Sequence, residues 1–485
     1  MEAIKNITGN NTGRRADIGR WVLVLRLWIA VVVARLVGML SRISGRGGSS
    51  LPGIVARRID PGVLRKLSVK LPAGVILLTG TNGKTTTAAV AAFLLKASGM
   101  RVVHNRAGAN LILGLTASMV QATRWRIYPK ADVALLETDE ASIPKAAQET
   151  RPKALLVTNF FRDQLDRYGE LSTTVGLVKK GIADLDSEGW LVLNADDPQV
   201  AFLGEGHTRV AYFGLDLPDE EGSILQQHDA ADARFCPRCG QALTYHKQYY
   251  AHLGHYCCTH CGWSRPTPEW VVTEWDRGHG RIVVRTGADT VVLPMAMPGI
   301  YNVYNQLAAV TVASILGAPL QPMRSHLETF EPAFGRMEKV LIHGHTIWLA
   351  LVKNPVGFTQ VLQAVGDSGK GTPRWALLVI NDRYADGQDV SWLWDVDFER
   401  VHQEKHIDQW WVSGIRAYDM ALRLKYAGIP DDLVHVVESP SRALDRMVEE
   451  ADTAVPIYVM PTYTALLEIR QHLTQQGYTR HFREG

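Results

Sequence analysis

One run of the sequence has the residue types of a phosphate-binding loop: Gly80, Thr81, Asn82, Gly83, Lys84, Thr85 and Thr86. Glycines let backbone N–H groups close around phosphate oxygens, a lysine such as Lys84 neutralises phosphate charge, and a hydroxyl such as that of Thr85 can bind Mg²⁺. An apolar run at residues 75–78 precedes the loop, and a helix-prone stretch at residues 88–97 follows it. Strand, loop and helix in this order predict an ATP site.

Carboxylates follow the next apolar run, residues 133–136. Parallel sheets bind ligands at the carboxyl ends of their strands, which is where Glu137 and Glu140 are expected to lie. We predict Glu137 as the Mg²⁺ ligand and as a catalytic residue, with Glu140 as the second candidate. The alternative is that each carboxylate only caps the helix expected near residues 142–145.

All five cysteines lie between Cys236 and Cys261. Two CxxC pairs, Cys236 with Cys239 and Cys258 with Cys261, are separated by 18 residues, which is typical of a zinc ribbon. Four thiolates make a closed tetrahedral shell, so this zinc is expected to fold the segment and not to catalyse. Cys257 is the alternative to Cys258 as a ligand.

Nucleic-acid binding is the rival function of such a ribbon, because the segment also carries aromatic and basic residues: Tyr245, Tyr249, Tyr250, Trp263, Arg238, Lys247 and Arg265. The whole chain has 52 basic and 49 acidic side chains, and this small excess provides no large field for nucleic acid. We therefore expect no nucleic-acid partner. His252, His255 and His260 are expected at the surface or behind the zinc ligands.

A chain of 485 residues predicts two or three domains. Short apolar runs alternate with helical stretches, which predicts a doubly wound α/β fold with a mostly parallel sheet. The apolar segment at residues 21–40 contains Arg26 and Arg35, which makes it neither a signal peptide nor a clean membrane span. It is expected to pack on the protein, with a place in a membrane interface as the alternative.

The expected organisation has an N-terminal helix and linker, an ATP domain in two pieces, an inserted ribbon and a C-terminal α/β domain of Rossmann-like type. The linker is a Gly- and Ser-rich loop predicted at residues 44–53. The boundaries, in this order, are residues 1–55, 56–225 with 269–320, 226–268, and 321–485.

Residues 80–86 resemble the ATP loop of Mur ligases and folylpolyglutamate synthetases, and three later segments agree with those families in order. They are residues 194–198, residues 299–305 and residues 335–338. The resemblance implies a Mur-ligase-like ATP domain in which Asn194, Asp197, Asn302, Asn305 and Arg336 serve the nucleotide. It also implies that ATP and Mg²⁺ convert a carboxylate to an acyl phosphate, which an amine then attacks.

Two segments depart from the ligases that add amino acids. Gln164 stands where those ligases have a metal-binding histidine, and Lys353-Asn354-Pro355 replaces a segment with a carboxylate and a histidine. The modified lysine of many Mur ligases is left unassigned between Lys179 and Lys180. The alternative of a stand-alone amino-acid ligase conflicts with the altered segment at residues 353–355.

The chain resembles the MurT family, the synthetase subunits of lipid II isoglutaminyl synthase, in three features. They are these two departures, the ribbon and the segment at residues 381–392. The resemblance implies ATP-dependent amidation of the D-glutamate α-carboxylate of lipid II, in the cytoplasm or at the inner face of the membrane. Releasing ammonia from glutamine needs a cysteine nucleophile, and every cysteine here belongs to the ribbon. The glutaminase is therefore expected on a partner chain, GatD in this family, in a heterodimer.

The resemblance also implies that an aspartate of the C-terminal domain completes the catalytic triad of that partner. Asp389 is our first candidate, and Asp395 and Asp397 are the alternatives. All three could instead be loop or capping residues.

Overall fold

The computed structural model describes residues 23–41, 50–105, 108–123, 127–162, 171–218, 232–287, 289–332, 335–367 and 373–479. Three helices open this part of the chain: α1 (Leu23–Ser41), α2 (Leu51–Ile59) and α3 (Val63–Ser68). Helix α2 begins inside the predicted Gly- and Ser-rich loop, which corrects that prediction. Pro52 near its first turn explains the start, because proline lacks the N–H that a first turn leaves unpaired.

A sheet of nine strands forms the first domain, in the order β11-β10-β9-β6-β5-β4-β1-β3-β2. Its strands are β1 (Val75–Thr79), β2 (Val102–His104), β3 (Val133–Glu137), β4 (Ala154–Val157), β5 (Trp190–Asn194), β6 (Val210–Leu215), β9 (Trp270–Asp276), β10 (Arg281–Thr286) and β11 (Asp289–Pro294). Neighbours from β2 to β9 pair in parallel, and β10 is antiparallel to both β9 and β11. The mostly parallel sheet is confirmed.

Helices cover both faces of this sheet, as the alternation of strands and helices predicted. They are α4 (Lys84–Ala97), α5 (Ile112–Gln121), α6 (Ile143–Thr150), α7 (Leu171–Ile182), α8 (Pro198–Phe202), α9 (Ile300–Ile315) and α10 (Met323–Leu327). Side chains of the central strand β1 alternate between two cores. Ile76 and Leu78 pack in the core that contains residues of α4 and α9, whereas Leu77 packs in the core shared with α1 and α3.

The cysteine segment leaves this sheet after β6 and returns to it in β9. It contains the antiparallel pair β7 (Thr244–Tyr250) and β8 (Leu253–Cys257), which forms a separate two-stranded sheet. Since β6 and β9 still pair directly, the segment interrupts the chain without interrupting the sheet.

The C-terminal domain has a six-stranded sheet in the order β12-β13-β17-β14-β15-β16. Its strands are β12 (Arg336–Ile342), β13 (His345–Ala350), β14 (Trp375–Val379), β15 (Gln409–Ser413), β16 (Val434–Val436) and β17 (Ile457–Pro461), and its helices are α11 (Pro355–Asp367), α12 (Phe398–Gln403), α13 (Ala417–Tyr426), α14 (Pro440–Glu450) and α15 (Tyr463–Gln475). Only β12 is antiparallel to its neighbour. This is an α/β domain, and its closer likeness to a Rossmann-like domain stays a prediction.

Candidate active site

The phosphate loop connects β1 to the N-terminus of α4, and hydrogen bonds to Asn159 fix its backbone. Asn159 accepts the Thr81 N–H through its carbonyl (2.9 Å) and the Asn82 N–H through its side chain (2.8 Å). Gly83 has a positive φ of 84°, and a Cβ there would lie 2.0 Å from Oδ1 of Asn305. The backbone conformation therefore favours glycine at position 83, and any side chain there would also displace the amide of Asn305.

Lys84, at the start of α4, folds back over the loop. Its ammonium donates to the Gly80 carbonyl and forms an ion pair with Glu140 at 2.9 Å. Both side chains are largely buried, with 11% and 7% exposed. The pair holds the lysine where the N–H groups of the loop and the positive end of the helix dipole would attract phosphate.

Glu137 ends β3 and is buried beside the loop. Asn105 fixes its backbone by accepting its N–H (2.8 Å) and donating to its carbonyl (2.8 Å). Within the part of the chain that the structure describes, Oε2 of Glu137 has no hydrogen-bond partner. A buried carboxylate oxygen without a partner is costly, and a hard cation such as Mg²⁺ would satisfy it.

Arg336, the first residue of β12, reaches across from the C-terminal domain to the loop, where Nη2 lies 3.4 Å from Oγ1 of Thr85. Burial lowers the pKa of Arg336 from its usual value, and the charge of Glu137 opposes that effect. A guanidinium held in a site of low polarity is suited to bind a phosphate. Asn302 and Asn305 bond to each other on α9 (3.1 Å) behind the loop.

A second link between the domains joins two amides. Asn354 Nδ2 donates to Asn82 Oδ1 at 2.9 Å, and Asn82 Nδ2 donates to Asn354 Oδ1 at 3.3 Å. Asn354 Oδ1 also accepts the Gly357 N–H (2.8 Å) in the first turn of α11. The altered segment at residues 353–355 therefore closes directly on the phosphate loop.

These groups surround one cavity of about 450 Å³ between the two domains. Its walls include most of the predicted site: Thr81, Asn82, Gly83, Lys84, Thr85, Thr86, Glu137, Asn302, Asn305 and Arg336, with Glu140 and Lys353. The prediction missed further wall residues, among them Asn110, Asp139, Tyr250, Tyr301, Gln360, Tyr384, Asp386 and Tyr463. Five of them lie in segments that the sequence analysis had marked without assigning these residues to the site: Asp139, Tyr250, Tyr301, Tyr384 and Asp386. Asn110, Gln360 and Tyr463 lie outside every marked segment, and no motif points to them.

Asn194 and Asp197 are not part of the cavity wall. Asn194 donates to the Thr158 carbonyl (2.9 Å), and Asp197 accepts the Phe160 N–H (2.7 Å) while capping α8. These contacts hold the backbone that supports the phosphate loop, so their direct role toward the nucleotide stays a prediction. Gln164 lies outside the described residues, and neither Lys179 nor Lys180 lines the cavity.

Asp389 lies outside the cavity wall and is exposed. Its Oδ1 accepts the Ser391 N–H (2.8 Å), and hydrogen bonds from Ser391 lower the pKa of the carboxyl. Asp395 is also exposed, whereas Asp397 caps α12 by accepting the Arg400 N–H (3.1 Å). Asp389 is thus an ionised carboxylate on the surface, and its role in a partner's triad stays a prediction.

The four predicted cysteines converge, with the sulfur atoms of Cys236, Cys239, Cys258 and Cys261 all within 4.8 Å of one another. The distances are 3.7 Å between Cys236 and Cys261 and 3.5 Å between Cys239 and Cys258. Tetrahedral Zn–S bonds of about 2.3 Å place sulfurs about 3.8 Å apart, so the donor set fits zinc. Cys257 is outside the cluster, and its sulfur lies 3.2 Å from Nε2 of His246.

The ribbon packs on the ATP domain through the aromatic side chains that a nucleic acid would need. Tyr249, Tyr250 and Trp263 are buried, and Arg265 bonds to Asp196 at 2.6 Å. The turn between β7 and β8 places Tyr250 in the cavity wall. This arrangement argues against the nucleic-acid alternative.

His252, in the same turn, is buried with Nε2 at 3.2 Å from Oδ2 of Asp197. It is not at the surface, which corrects that part of our expectation, and its ring lies 4.8 Å from that of Phe161. The position follows from the insertion of the turn into the ATP domain, which the sequence pattern did not reveal.

Comparisons with known proteins agree with this architecture. The Mur ligase middle domain family matches residues 78–241, and the MurT ligase C-terminal family matches residues 351–466. Among solved structures, a pseudomurein peptide ligase type C from Methanothermus fervidus has a TM-score of 0.63 at 23% identity over 85% of this chain and 80% of its own. MurF ligase from Thermotoga maritima, solved in complex with ADP, has a TM-score of 0.59 at 13% identity over 85% of this chain and 82% of its own. The fold and the site define a Mur-type ligase.

Two curated relatives carry the assignment further. The "Lipid II isoglutaminyl synthase (glutamine-hydrolyzing) subunit MurT" of Staphylococcus aureus strain N315 is 33% identical over 93% of this chain and 98% of its own length. The protein of the same name from Streptococcus pneumoniae strain R6 is 34% identical over 91% of this chain and 95% of its own. The chain belongs to the MurT family of Mur ligases.

Proposed function

We propose that this chain is the ATP-dependent half of a lipid II amidating enzyme. In this proposal the D-glutamate α-carboxylate of lipid II attacks the γ-phosphorus of ATP, and ADP leaves. Ammonia then attacks the acyl carbon, and phosphate leaves as the D-isoglutamine amide forms. One observation carries the proposal. In a chain of this family, the phosphate loop, Arg336 and the Lys353-Asn354-Pro355 segment meet at one cavity.

The residues of the cavity have distinct roles in this reaction. Lys84 and Arg336 would bind the phosphates and stabilise the charge that develops during transfer. Thr85 and Glu137 would hold Mg²⁺, which supplies charge neutralisation to the phosphate oxygens when bound. Two observations support this assignment: the buried Oε2 of Glu137 is costly until an ion satisfies it, and the half-buried guanidinium of Arg336 already lies beside Thr85 of the loop.

We also propose that Cys236, Cys239, Cys258 and Cys261 hold a structural zinc. The fit of their sulfur spacing to a tetrahedral shell supports it. Tyr256, in the same strand as Cys257, donates to the Ala195 carbonyl at 2.9 Å and ties the ribbon to the ATP domain. A folded ribbon would therefore keep Tyr250 in the cavity wall.

Ammonia would come from a separate glutaminase subunit, GatD in this family, to which the exposed Asp389 would contribute a triad carboxylate. An apolar surface on the C-terminal domain supports a docked partner. Tyr418, Leu422 and Tyr426 lie on one face of α13 with 48–70% of each side chain exposed. Trp394 extends this face, with its ring 5.5 Å from that of Tyr426. Aromatic clusters of this kind are typical of the centres of protein interfaces.

Mass spectrometry of lipid II tests the proposed reaction. Lipid II is incubated with ATP, glutamine and the purified chain, with and without a glutaminase subunit. The amide product is expected only with the subunit, or with ammonium in place of glutamine. Addition of an amino acid to a precursor, with no amidation under any condition, would replace the proposal with a stand-alone amino-acid ligase.

A further inference from the structure

Helix α1 has two opposite apolar faces, of which only one is covered. Leu27, Ala30, Val31 and Ala34 face the protein and are at most 2% exposed. On the other side the exposed fraction is between 39% and 66% for Leu25, Trp28, Ile29, Leu36, Met39 and Leu40. These six residues, called here the outer face of α1, recur at helical spacing over the whole length of the helix.

Two arginines fix α1 to the body of the protein. Arg26 donates through Nε to the Ile59 carbonyl at 2.6 Å, and Arg35 donates through Nη1 to the Gln121 carbonyl at 2.7 Å. At 100° per residue these arginines lie on the two flanks between the inner and outer faces. The helix is therefore held in one orientation, with its outer face toward solvent.

Basic residues surround this part of the sequence. Residues 1–58 contain ten Lys and Arg side chains and two carboxylates, in a chain whose overall net charge is only +3. An exposed apolar stripe within basic sequence complements a bilayer that carries anionic lipid, since the apolar side chains enter the acyl boundary while the cations remain among the headgroups. Trp28 is also suited to that boundary.

We propose that the outer face of α1 docks on the surface of an anionic phospholipid bilayer, with the helix parallel to the membrane plane. By length and hydropathy alone α1 could cross a bilayer. A crossing would strip the inner face from the domain core and carry Arg26 and Arg35 into hydrocarbon, which is unfavourable. A second copy is a poorer occupant, because self-pairing of the outer face would oppose like-charged segments.

Docking goes beyond the proposed function and does not depend on it. Only one consequence rests on that function. A lipid-linked substrate in the same bilayer would lie on the membrane surface to which the protein is docked. Arg35 of α1 donates to Gln121, the last residue of α5, and the residues that precede α5, Asn110 and Leu111, line the cavity. The docked helix and the catalytic cavity thus belong to one continuous part of the ATP domain.

Co-sedimentation of the full chain with vesicles tests the proposal. Vesicles of phosphatidylcholine with phosphatidylglycerol should bind the wild type, and those of phosphatidylcholine alone should bind it weakly. The double variant Trp28→Gln/Leu36→Gln should bind anionic vesicles at least about tenfold more weakly, because two large apolar groups leave the interface. Leu341→Gln is the matched control, since Leu341 is 62% exposed on β12, far from α1 in the sequence.

Folding and topology are checked in the same samples. Circular dichroism and zinc content establish that each variant is folded, and Leu25→Gln/Met39→Gln is a second variant of the outer face. Release of the wild type from anionic vesicles by high salt or alkaline carbonate supports surface docking, because salt screens its electrostatic part.

Several outcomes would overturn docking: equal vesicle binding by folded outer-face variants, no vesicle binding by the wild type, resistance to carbonate, or a lipid-independent dimer that the variants abolish. Failure of the proposed function looks different. In that case vesicle binding persists while no amide forms from lipid II in detergent, where docking is not needed.

Discussion

Asp386 and Asp389 lie in one loop after β14, yet the structure gives them opposite surroundings. Asp386 is 5% exposed, lines the cavity and accepts the N–H (2.7 Å) and the hydroxyl (2.5 Å) of Thr464. Asp389 is exposed, is absent from the cavity wall and accepts hydrogen bonds from Ser391, two residues along the same loop. The first carboxylate is fixed inside the protein, and the second is presented outward.

This difference separates the molecule into a cavity region, where ATP chemistry belongs, and an outer region around Asp389 and the exposed face of α13. A buried carboxylate oxygen without a hydrogen-bond partner, such as Oε2 of Glu137, is costly and calls for a ligand that arrives in each catalytic cycle. The exposed side chains of the outer region have no such cost and are suited to a partner that stays bound. Substitutions in the cavity region should therefore lower turnover with both ammonium and glutamine, whereas substitutions in the outer region should lower turnover with glutamine alone.

The largest effect is expected for Lys84→Ala in the cavity region. Removing the ammonium leaves phosphate charge without its counter-ion and leaves Glu140 without its ion-pair partner. We expect turnover with ammonium and with glutamine to fall alike, by roughly a thousandfold. Lys153→Ala is the control, because its ion pair with Asp186 is partly exposed and neither residue lines the cavity. Retained turnover with unchanged fold and zinc content would contradict the phosphate-loop assignment.

Asp389→Asn should separate the two regions most cleanly. An amide can hold the partner's histidine but cannot stabilise the imidazolium, so glutamine-dependent amidation should fall by roughly a hundredfold or more. Added ammonium at a pH where free NH₃ exists should restore amidation. Full glutamine-dependent activity would move the triad role to Asp395 or Asp397, for which the matching asparagine variants are the comparison. Failure of ammonium rescue would assign Asp389 to the cavity region instead.

Cys236→Ser should affect neither region directly but should loosen the ribbon. We expect the zinc content to fall from one per chain to none, and the Tm to fall by roughly 5 °C or more. Cys257→Ser is the matched control, since Cys257 is outside the cluster and should keep the metal. Wild-type protein without zinc or iron in elemental analysis would show that the ribbon assignment is wrong.

A smaller effect is expected at the junction of the domains. Asn354→Ser keeps a neutral oxygen that can accept the Gly357 N–H but is too short to reach the amide of Asn82. An interdomain hydrogen bond is worth about 1 kcal/mol, so kcat/KM for ATP should fall by roughly tenfold with little change in Tm. A large loss of Tm would mean that Asn354 stabilises the C-terminal domain itself and is not a junction residue.

Much of the architecture was predictable because apolar runs mark buried parallel strands. The predicted apolar runs at residues 75–78 and 133–136 form strands β1 and β3, and the glycines before Lys84 mark the phosphate loop that follows β1. Helix α2 was missed, since its Pro and Gly are more typical of loops than of helices. Packing against α5 compensates, because Gly53 lies too close to Leu113 for any side chain.

The cavity was predictable only where a local motif exists. The loop residues and Glu137 follow from sequence order, whereas Tyr250 reaches the cavity from the ribbon and Asp386 from the second domain. Such contacts depend on how two domains and an insertion pack, which one sequence does not display. A motif also predicted a nucleotide role for Asn194, which stays a prediction, since the contact that the structure shows is a hydrogen bond to the Thr158 carbonyl behind the loop.

The central claim is that this chain alone activates a carboxylate with ATP, and isotope transfer tests it most directly. Lipid II carrying ¹⁸O in the D-glutamate α-carboxylate is incubated with the chain, ATP, Mg²⁺ and ammonium, without a glutaminase. An acyl phosphate intermediate requires that one carboxylate oxygen leaves with the phosphate, so ¹⁸O should appear in inorganic phosphate in step with amide formation. Amide formation with unlabelled phosphate, or no amidation until a glutaminase subunit is added, would contradict the account.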